Sequence, residues 1–241
     1  MRIESLQNKK VKELVKLYQN KKYRDEENLF IIEGYHMVKE AYDAKLLKEV
    51  YSLDEIDFDF DNVTLISKEI LAKVTDVVTP QGIIGVCNKK TNFNLSNRVL
   101  LLDNIQDPGN LGTLIRSAVG FGFSSIILDD CVDVYNPKVI RSTQGAIFKV
   151  DIKKESIIDF IKNNVDYVVY GTSLQNGVNL SSVEDNIDKL GIILGNEGNG
   201  VRKEILDITN KNIFIEINNL ESLNVGVAGS IIMYKYRYNS R

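Results

Sequence analysis

From residue 98 onward, short apolar runs alternate with helix-forming segments, and this alternation constrains the fold more than any other feature. The apolar runs predict strands at 99–102, 125–129, 148–152, 167–170, 191–194 and 213–217. The segments between them predict helices at 113–119, 137–145 and 155–163, from 202, and from 225 to about 238. Strands alternating with helices imply an α/β fold with a mostly parallel sheet and helices on both faces. Ligands of such sheets bind beyond the carboxyl ends of the strands.

The first ninety residues predict a smaller α/β domain. A helix is predicted at 8–22, where apolar side chains recur on one face: Val11, Leu14, Val15 and Tyr18. Strands at 29–32, 49–53, 63–67 and 83–87 and helices at 35–44 and 68–78 complete this domain. The polar stretch 88–97 has little to bury. We therefore predict domains at 1–90 and 98–241, joined by a linker at 91–97.

The composition excludes several classes of protein. A single histidine, His36, excludes catalysis by a histidine pair, and with only two cysteines it also excludes the usual zinc site. Two lone cysteines favour a reducing cytoplasm over a disulfide framework. No apolar run reaches the roughly 18–20 residues that span a bilayer, and the first residues lack the apolar core of a signal peptide. We expect a cytoplasmic protein without a membrane or metal partner.

Charge is distributed unevenly along the chain, although the formal net charge is only −3. Residues 1–24 carry eight Lys or Arg against two Glu, and residues 25–61 carry twelve Asp or Glu against three Lys. Lys9, Lys12 and Lys16 lie away from the apolar face of the first predicted helix. Such a basic face can contact phosphates, but more often it is simply a solvated helix surface.

The first loop with unusual composition is DPGNLGTLIR at 107–116. Pro108 and Gly109 predict a tight turn, and Asn110 can cap the following helix. Arg116 follows six residues after Asn110. The loop is not a P-loop because no Gly-Lys-Ser/Thr follows. A capped helix with a surface arginine would explain the same residues.

The second loop is GNEGNG at 195–200, whose glycine spacing reverses that of the dinucleotide fingerprint. A nicotinamide-dependent enzyme is therefore disfavoured. The glycines would let backbone groups approach a ligand closely, and Glu197 is a candidate polar anchor. A flexible turn is the alternative interpretation.

The third loop, ESLN at 221–224, precedes the last predicted helix, which Ser222 can cap. That helix contains Gly226 and Gly229, and each glycine costs a helix interior about 1 kcal/mol relative to alanine. Two such residues so close together predict that another backbone packs tightly there. A dimer face is the more specific hypothesis, and a buried carboxy-terminal helix is the simpler one.

Taken together, the three loops resemble the signature motifs of the SpoU (TrmH-type) branch of the SPOUT RNA methyltransferases. The matching segments are DPGNLGTLIRSA, IILGNEGNGV and IEINNLESLNVGVAGSIIMY, in the family's order, with NPKVIRSTQGAIF between the first two. The resemblance covers 98–241. The front of the chain resembles the substrate-binding domain often fused ahead of it, whose fold is like that of certain RNA-binding ribosomal proteins.

The resemblance implies a SPOUT α/β knot, in which the carboxy-terminal segment forms a deep trefoil knot, and a homodimer that binds S-adenosylmethionine beside its interface. It implies methyl transfer to a ribose 2′-hydroxyl, without a metal, most readily in ribosomal RNA. A transfer RNA substrate and a non-catalytic RNA-binding protein of the same fold remain alternatives.

The resemblance also assigns roles to individual residues. The catalytic set implied by the motifs is Asn110, Arg116, Glu197, Ser222 and Asn224. The implied cofactor contacts are Thr172, Gly195, Ile215 and Leu223, and Arg141 is an implied contact to RNA phosphate. The family usually has proline and glycine where this chain has Glu216 and Asn219, which leaves the detail of cofactor binding open. The positions of the catalytic set match the motifs.

Overall fold

A computed structural model describes residues 2–77, 79–175, 177–184 and 186–237 of the chain. The residues form two compact units. The first contains residues 1–91 together with 135–148, and the second contains 92–134 and 149–241. The packing units therefore differ at 135–148 from the division predicted from the sequence, and the domain limits at 90 and 98 stay a prediction.

The first unit contains a mixed five-stranded sheet in the order β1-β4-β3-β5-β2. Its strands are β1 (Arg2–Ile3), β2 (Leu29–Glu33), β3 (Leu47–Ser52), β4 (Val63–Ile66) and β5 (Ile83–Asn88). Its helices are α1 (Lys9–Gln19), α2 (Lys21–Glu27), α3 (Tyr35–Asp43), α4 (Lys68–Val74) and α6 (Pro137–Thr143). β1, β4 and β3 are parallel, whereas β5 is antiparallel to both β3 and β2.

The segment 135–148 belongs to the first unit because its apolar side chains pack there. Tyr135 and Phe148 lie against Phe30 of β2, with ring centroids 4.8 and 6.2 Å from the Phe30 ring. Val139 and Ile140 of α6 are buried. Burial of these side chains removes apolar surface from water, which stabilises the fold. The segment therefore packs with the first unit although its neighbours in sequence belong to the second.

The second unit contains a seven-stranded sheet in the order β10-β12-β9-β11-β6-β7-β8, with every neighbouring pair parallel. Its strands are β6 (Arg98–Asp103), β7 (Ser125–Asp129), β8 (Asp151–Lys154), β9 (Val168–Thr172), β10 (Val178–Asn179), β11 (Leu190–Leu194) and β12 (Lys211–Phe214). Its helices are α5 (Pro108–Gly120), α7 (Ile157–Asn163), α8 (Lys203–Leu206) and α9 (Val225–Lys235). The parallel α/β fold expected from the strand–helix alternation is confirmed. The trefoil knot stays a prediction, since strand order alone does not establish it.

Several element boundaries differ from the sequence predictions. The helix predicted at 8–22 is two helices, because Asn20 takes an extended conformation and its side chain caps α2 by accepting from the Tyr23 N–H at 3.1 Å. The strand predicted at 148–152 is replaced by a short 3₁₀ turn at Ala146–Phe148 and by β8. The strand predicted at 213–217 is β12, which starts and ends earlier, and α8 has only four residues. Val78 and Tyr238, the predicted ends of two helices, lie outside the described residues.

Helices α5 and α9 run side by side in the same direction, so their amino-terminal ends meet at the carboxyl edge of the sheet. The Ser117 and Ser230 hydroxyls are 2.8 Å apart. A Cβ added to Gly229 would lie 2.5 Å from a Leu194 methyl carbon and 2.6 Å from a Leu114 methyl carbon. The glycines of α9 therefore serve close packing inside this chain. The dimer face suggested by Gly226 and Gly229 stays a prediction, because close packing within the chain also explains both glycines.

Candidate functional site

Three loops at the carboxyl edge of the parallel sheet are joined by a chain of side-chain hydrogen bonds. The Asn224 Nδ2 donates to the Asn110 Oδ1 at 2.9 Å, and the Asn110 Nδ2 donates to the Glu197 Oε1 at 3.1 Å. These residues come from the loop before α9, the first turn of α5 and the loop after β11. The structure thus brings together three of the five residues of the predicted catalytic set.

The Glu197 carboxylate accepts the hydrogen bonds that hold the loop before α5 in place. Besides the Asn110 amide, its carboxylate accepts from the Asp107 N–H at 3.1 Å and from the Gln106 N–H at 3.3 Å. Partial burial acts to raise the pKa of Glu197, but the hydrogen bonds from Asn110, Asp107 and Gln106 outweigh it and lower the pKa below its usual value. The group is therefore ionised at neutral pH and holds the loop as a carboxylate.

Asp107, which the sequence analysis did not select, caps α5 in place of Asn110. Its Oδ1 accepts from the Asn110 backbone N–H at 2.7 Å, and Pro108 takes the first helical position. An aspartate followed directly by proline is typical of a helix start and could have identified this cap. The Asn110 side chain is therefore left to bridge the other two loops.

Asn224, rather than Ser222, caps α9. The Asn224 Oδ1 accepts from the N–H groups of Gly226 and Val227 at 2.9 and 3.3 Å. Ser222 is exposed two residues earlier and forms no hydrogen bond with any residue that the structure describes. A single asparagine side chain thus caps the start of α9 and donates to Asn110. The position of α9 therefore determines where Asn224 meets Asn110.

The loop after β11 is tightly closed. A Cβ at Gly195 would lie 2.1 Å from the carbonyl carbon of Gly200 and from the Val201 nitrogen, and Gly200 has a φ of +69°. Asn196 holds the turn from inside by accepting from the Gly198 and Asn199 N–H groups, and its Nδ2 donates to the Asn104 carbonyl at 2.9 Å. The glycines are therefore required by the turn that presents Glu197.

Three of the four predicted cofactor residues lie at or just beyond the ends of neighbouring strands. Thr172 ends β9 and its hydroxyl donates to the Ile193 carbonyl at 2.9 Å. Gly195 follows β11, Ile215 follows β12, and Leu223 precedes α9. The last three lie outside strands and helices, where backbone groups remain for a ligand. β12, β9 and β11 are adjacent in the sheet, so these positions share one edge.

The two departures from the family pattern have local explanations. Asn219 has a φ of +64°, and asparagine is the residue that best tolerates this left-handed conformation after glycine. The Glu216 Oε2 accepts from the Asn179 Nδ2 at 2.7 Å, so its carboxylate is bound to the neighbouring edge of the sheet. Neither departure disturbs the hydrogen bonds among the three loops.

Arg116 lies on α5 beyond the Asn110 bridge. Its side chain is exposed and forms no hydrogen bond or ion pair with any part of the chain that the structure describes. A guanidinium held on a rigid helix and not neutralised by a carboxylate is suited to bind an anion from solution.

The remaining predicted RNA contacts lie in the first unit. Lys9, Lys12 and Lys16 are exposed on α1, where Lys9 lies 3.8 Å from Glu13. The Lys16 Nζ is 5.4 Å from the centre of the Tyr23 ring. The Arg141 Nη1 on α6 donates to the Tyr18 hydroxyl at 2.9 Å and to the Asp76 Oδ1 at 3.1 Å.

Two further observations concern metals and membranes. Within the described ranges, no group of three or more histidine, cysteine, aspartate or glutamate side chains is placed to hold a metal ion. No helix in the same ranges is long and apolar enough to cross a membrane.

Arg202 is a second residue that sequence reasoning missed. Its Nε donates to the Asp103 Oδ1 at 2.7 Å and its Nη2 donates to the Asp129 Oδ2 at 2.6 Å. Partial burial acts to lower the pKa of Arg202, but the hydrogen bonds and charges of Asp129 and Asp103 raise it. Nothing in the sequence pairs Arg202 with these two aspartates, from which it is 99 and 73 positions away.

The parallel sheet, the three joined loops and the exposed arginine define an α/β protein whose candidate site lies at the carboxyl ends of the strands. The SpoU rRNA Methylase family model matches residues 97–234, and the MRM3-like substrate binding domain model matches residues 8–85. The chain belongs to the SpoU rRNA methylase family. It is an RNA methyltransferase, and its cofactor is S-adenosylmethionine.

Known proteins of this family match the chain along its length. It is 37% identical to the Bacillus subtilis 23S rRNA (guanosine(2553)-2′-O)-methyltransferase RlmP, over 98% of each chain. The AdoMet-bound rRNA methyltransferase from Sinorhizobium meliloti superposes with a TM-score of 0.88 at 26% identity, covering 98% of this chain and 97% of that one. The human mitochondrial rRNA methyltransferase 3 is 30% identical over 60% of this chain and 39% of its own length.

Proposed function

We propose that this enzyme transfers a methyl group to a ribose 2′-hydroxyl of ribosomal RNA, as a cytoplasmic homodimer. The observation that carries the proposal is the Asn224–Asn110–Glu197 chain, which joins three separate loops into one site beside an exposed arginine. A binding protein that merely clamps RNA has no need for this arrangement at the carboxyl edge of the sheet.

S-adenosylmethionine supplies, when bound, a methyl group on a sulfonium that is itself a good leaving group. Thr172, Gly195, Ile215 and Leu223 would hold the cofactor, chiefly through backbone groups at one edge of the sheet. The closed turn at 195–200 suits this role, because glycine lets a ligand approach the backbone closely.

Arg116 prepares the acceptor oxygen. A guanidinium stays protonated in proteins, so it does not serve as the free base. It binds the phosphate adjacent to the reacting ribose and stabilises the 2′-oxyanion as it forms. The hydroxyl proton would pass to a phosphate oxygen or to water as the 2′-oxygen accepts the methyl group that the bound cofactor would supply.

The other residues of the catalytic set hold the geometry. Asn110 and Glu197 orient the first two loops through their direct hydrogen bond. Asn224 shapes the pocket for the donor and the 2′-oxygen, and Ser222, exposed in the same loop, is free to turn toward the substrate. Positioning of this kind can lower a barrier by up to about 7–11 kcal/mol.

Ribosomal RNA is favoured as substrate by the relatives' names and by the amino-terminal match to a substrate-binding domain. A cytoplasmic location is supported by the two free cysteines, which suit a reducing compartment. Cys131 is half-buried, and this burial raises the pKa of its thiol to about 12.

The homodimer is supported by the exposed side of α9. Val227, Ile231 and Tyr234 follow at helical spacing and are 49%, 40% and 55% exposed. An apolar row of this kind on the outside of a helix is typical of a surface covered by a partner. Sedimentation of Tyr234→Glu should give a monomer where the wild type gives a dimer. Val165→Glu, which replaces another exposed apolar side chain, should remain dimeric; a monomeric wild type would refute the homodimer.

Transfer of labelled methyl groups tests the activity. Ribosomal RNA transcripts should accept label from S-adenosylmethionine at a ribose 2′-oxygen, mapped by resistance of the adjacent linkage to alkali. Arg116→Ala should abolish transfer while leaving binding of S-adenosylhomocysteine intact, and Lys162→Ala, which removes an exposed charge on α7, should not. Label on transfer RNA alone would refute the ribosomal substrate, and label on neither RNA would refute the enzyme activity.

A further inference from the structure

Strands β6 and β7 end in two carboxylates placed side by side. Asp103 and Asp129 are register partners on these neighbouring parallel strands. Asp103 is fully buried, and the Asp129 side chain is 16% exposed. Two aspartates in this arrangement repel each other, and burial of a charge is costly unless a partner compensates it.

Arg202 is that partner, and it binds both carboxylates at once. Its guanidinium donates through Nε to Asp103 and through Nη2 to Asp129, at 2.7 and 2.6 Å. Its backbone N–H donates to the second Asp103 oxygen at 2.8 Å. The side chain and the main chain of Arg202 are thus fixed together, immediately before α8.

This attachment lies at the end of the loop that carries Glu197. At its beginning, the loop is fixed by the Asn196 side chain, which donates to the Asn104 carbonyl at 2.9 Å. Asn104 directly follows Asp103. Both ends of the loop are therefore attached to the end of β6, and Glu197 lies between the two points of attachment.

We propose that Arg202 is a positioning residue for methyl transfer: by bridging Asp103 and Asp129, it holds the loop after β11 so that Glu197 meets Asn110. This inference rests on the proposed function, because it assigns a further role within the same site. The planar guanidinium donates from two nitrogens to the carboxylates at two strand ends, and the single ammonium of a lysine does not reproduce this geometry. Arg202 acts through Glu197 and has no direct role toward the substrate.

A purely structural role is the competing explanation, in which Arg202 only neutralises the buried Asp103. Two variants separate the roles. Arg202→Lys keeps a positive charge but loses the fork. The double variant Asp103→Asn with Arg202→Gln removes the fully buried carboxylate together with the guanidinium that binds it, and leaves Asp129, which still accepts from the Ile157 N–H at 3.0 Å. Lys203→Gln is the matched control, because Lys203 is 84% exposed and pairs only with Asp207 among the described residues.

The measurements are melting temperature, affinity for S-adenosylhomocysteine, and kcat and KM for RNA. Both variants should melt close to the wild type. Their kcat should fall about 10-fold to 100-fold, as misplacement of a catalytic group does. Their KM for RNA should stay unchanged, because Arg202 contacts none of the residues proposed to bind RNA. Lys203→Gln should match the wild type in every measurement.

A kcat equal to that of the wild type in either variant would overturn the role of Arg202. So would a loss of kcat that only follows a loss of folded protein. The wild-type rate, measured first, tests the proposed function separately: an inactive wild type refutes that function, whereas an active wild type with an equally active Arg202→Lys variant refutes only the positioning role.

Discussion

Replacing Asn110 by aspartate tests the hydrogen bonds that join Asn224, Asn110 and Glu197, with almost no change in the shape of the side chain. Asn110 accepts from Asn224 and donates to Glu197. An aspartate retains the acceptor toward Asn224 but presents a carboxylate oxygen to the Glu197 carboxylate. In the wild type Glu197 is ionised at neutral pH because its pKa is lowered, and the introduced aspartate places a second carboxyl group against it.

The cost follows from the distance of 3.1 Å between Asn110 Nδ2 and Glu197 Oε1. Two like charges at that separation repel by about 1 kcal/mol in water and by about 5 kcal/mol at an effective dielectric of 20. Because Glu197 is exposed, solvent screening favours the lower figure. Adding the lost hydrogen bond, we expect a net cost of about 1–2 kcal/mol, which corresponds to about a tenfold fall in kcat/KM.

The pH dependence gives a sharper signature. The two carboxylates of the variant bind their first proton with a raised pKa, and the protonated group then donates to the other. The deficit of Asn110→Asp relative to the wild type should therefore shrink as the pH falls from 8 toward 5. In the wild type, the carboxylate of Glu197 contributes fully above its unfolded pKa, and this contribution is lost only as the pH falls through the lowered folded pKa.

The assay is labelled methyl transfer at a series of pH values, with the melting temperature as a check on folding. Asn199→Asp is the matched control, because it adds the same charge to the loop that carries Glu197, and the contact of Asn199 with Asn196 is made by its backbone N–H. If Asn110→Asp were as active as Asn199→Asp at pH 8, the Asn110–Glu197 bond would not be needed for catalysis.

Two other sets of substitutions test the basic helix α1 and the glycine turn after β11. Neutralising Lys9, Lys12 and Lys16 together should weaken RNA binding, as measured by filter binding. The slope of log affinity against log salt should fall by about 0.7–0.9 for each phosphate that α1 no longer binds. An unchanged slope would show that α1 is only a solvated surface. Gly195→Ala should abolish transfer and lower the melting temperature, because its Cβ would overlap the backbone at Gly200, whereas Gly120→Ala, whose Cβ meets nothing, should do neither.

The candidate site could be predicted from the sequence in outline, but the residues that cap its helices could not. The strand–helix alternation required the three loops to share the carboxyl edge, and Asn110, Glu197 and Asn224 do meet there. Asn110 and Ser222 were predicted as helix caps, yet Asp107 and Asn224 cap α5 and α9. Several polar residues near a helix start can all cap it, and the choice depends on which side chains other loops engage.

The alternation of short apolar runs with helix-forming segments determined that the second unit is a parallel sheet with its site at one edge, because that pattern leaves few ways to bury its strands. Tertiary structure alone decided the long-range pairs. Arg202 meets Asp103 and Asp129 because their strands are neighbours, and 135–148 packs with the first unit because its apolar side chains are buried there. Local sequence encodes which surfaces must be buried, but not which distant surface will cover them.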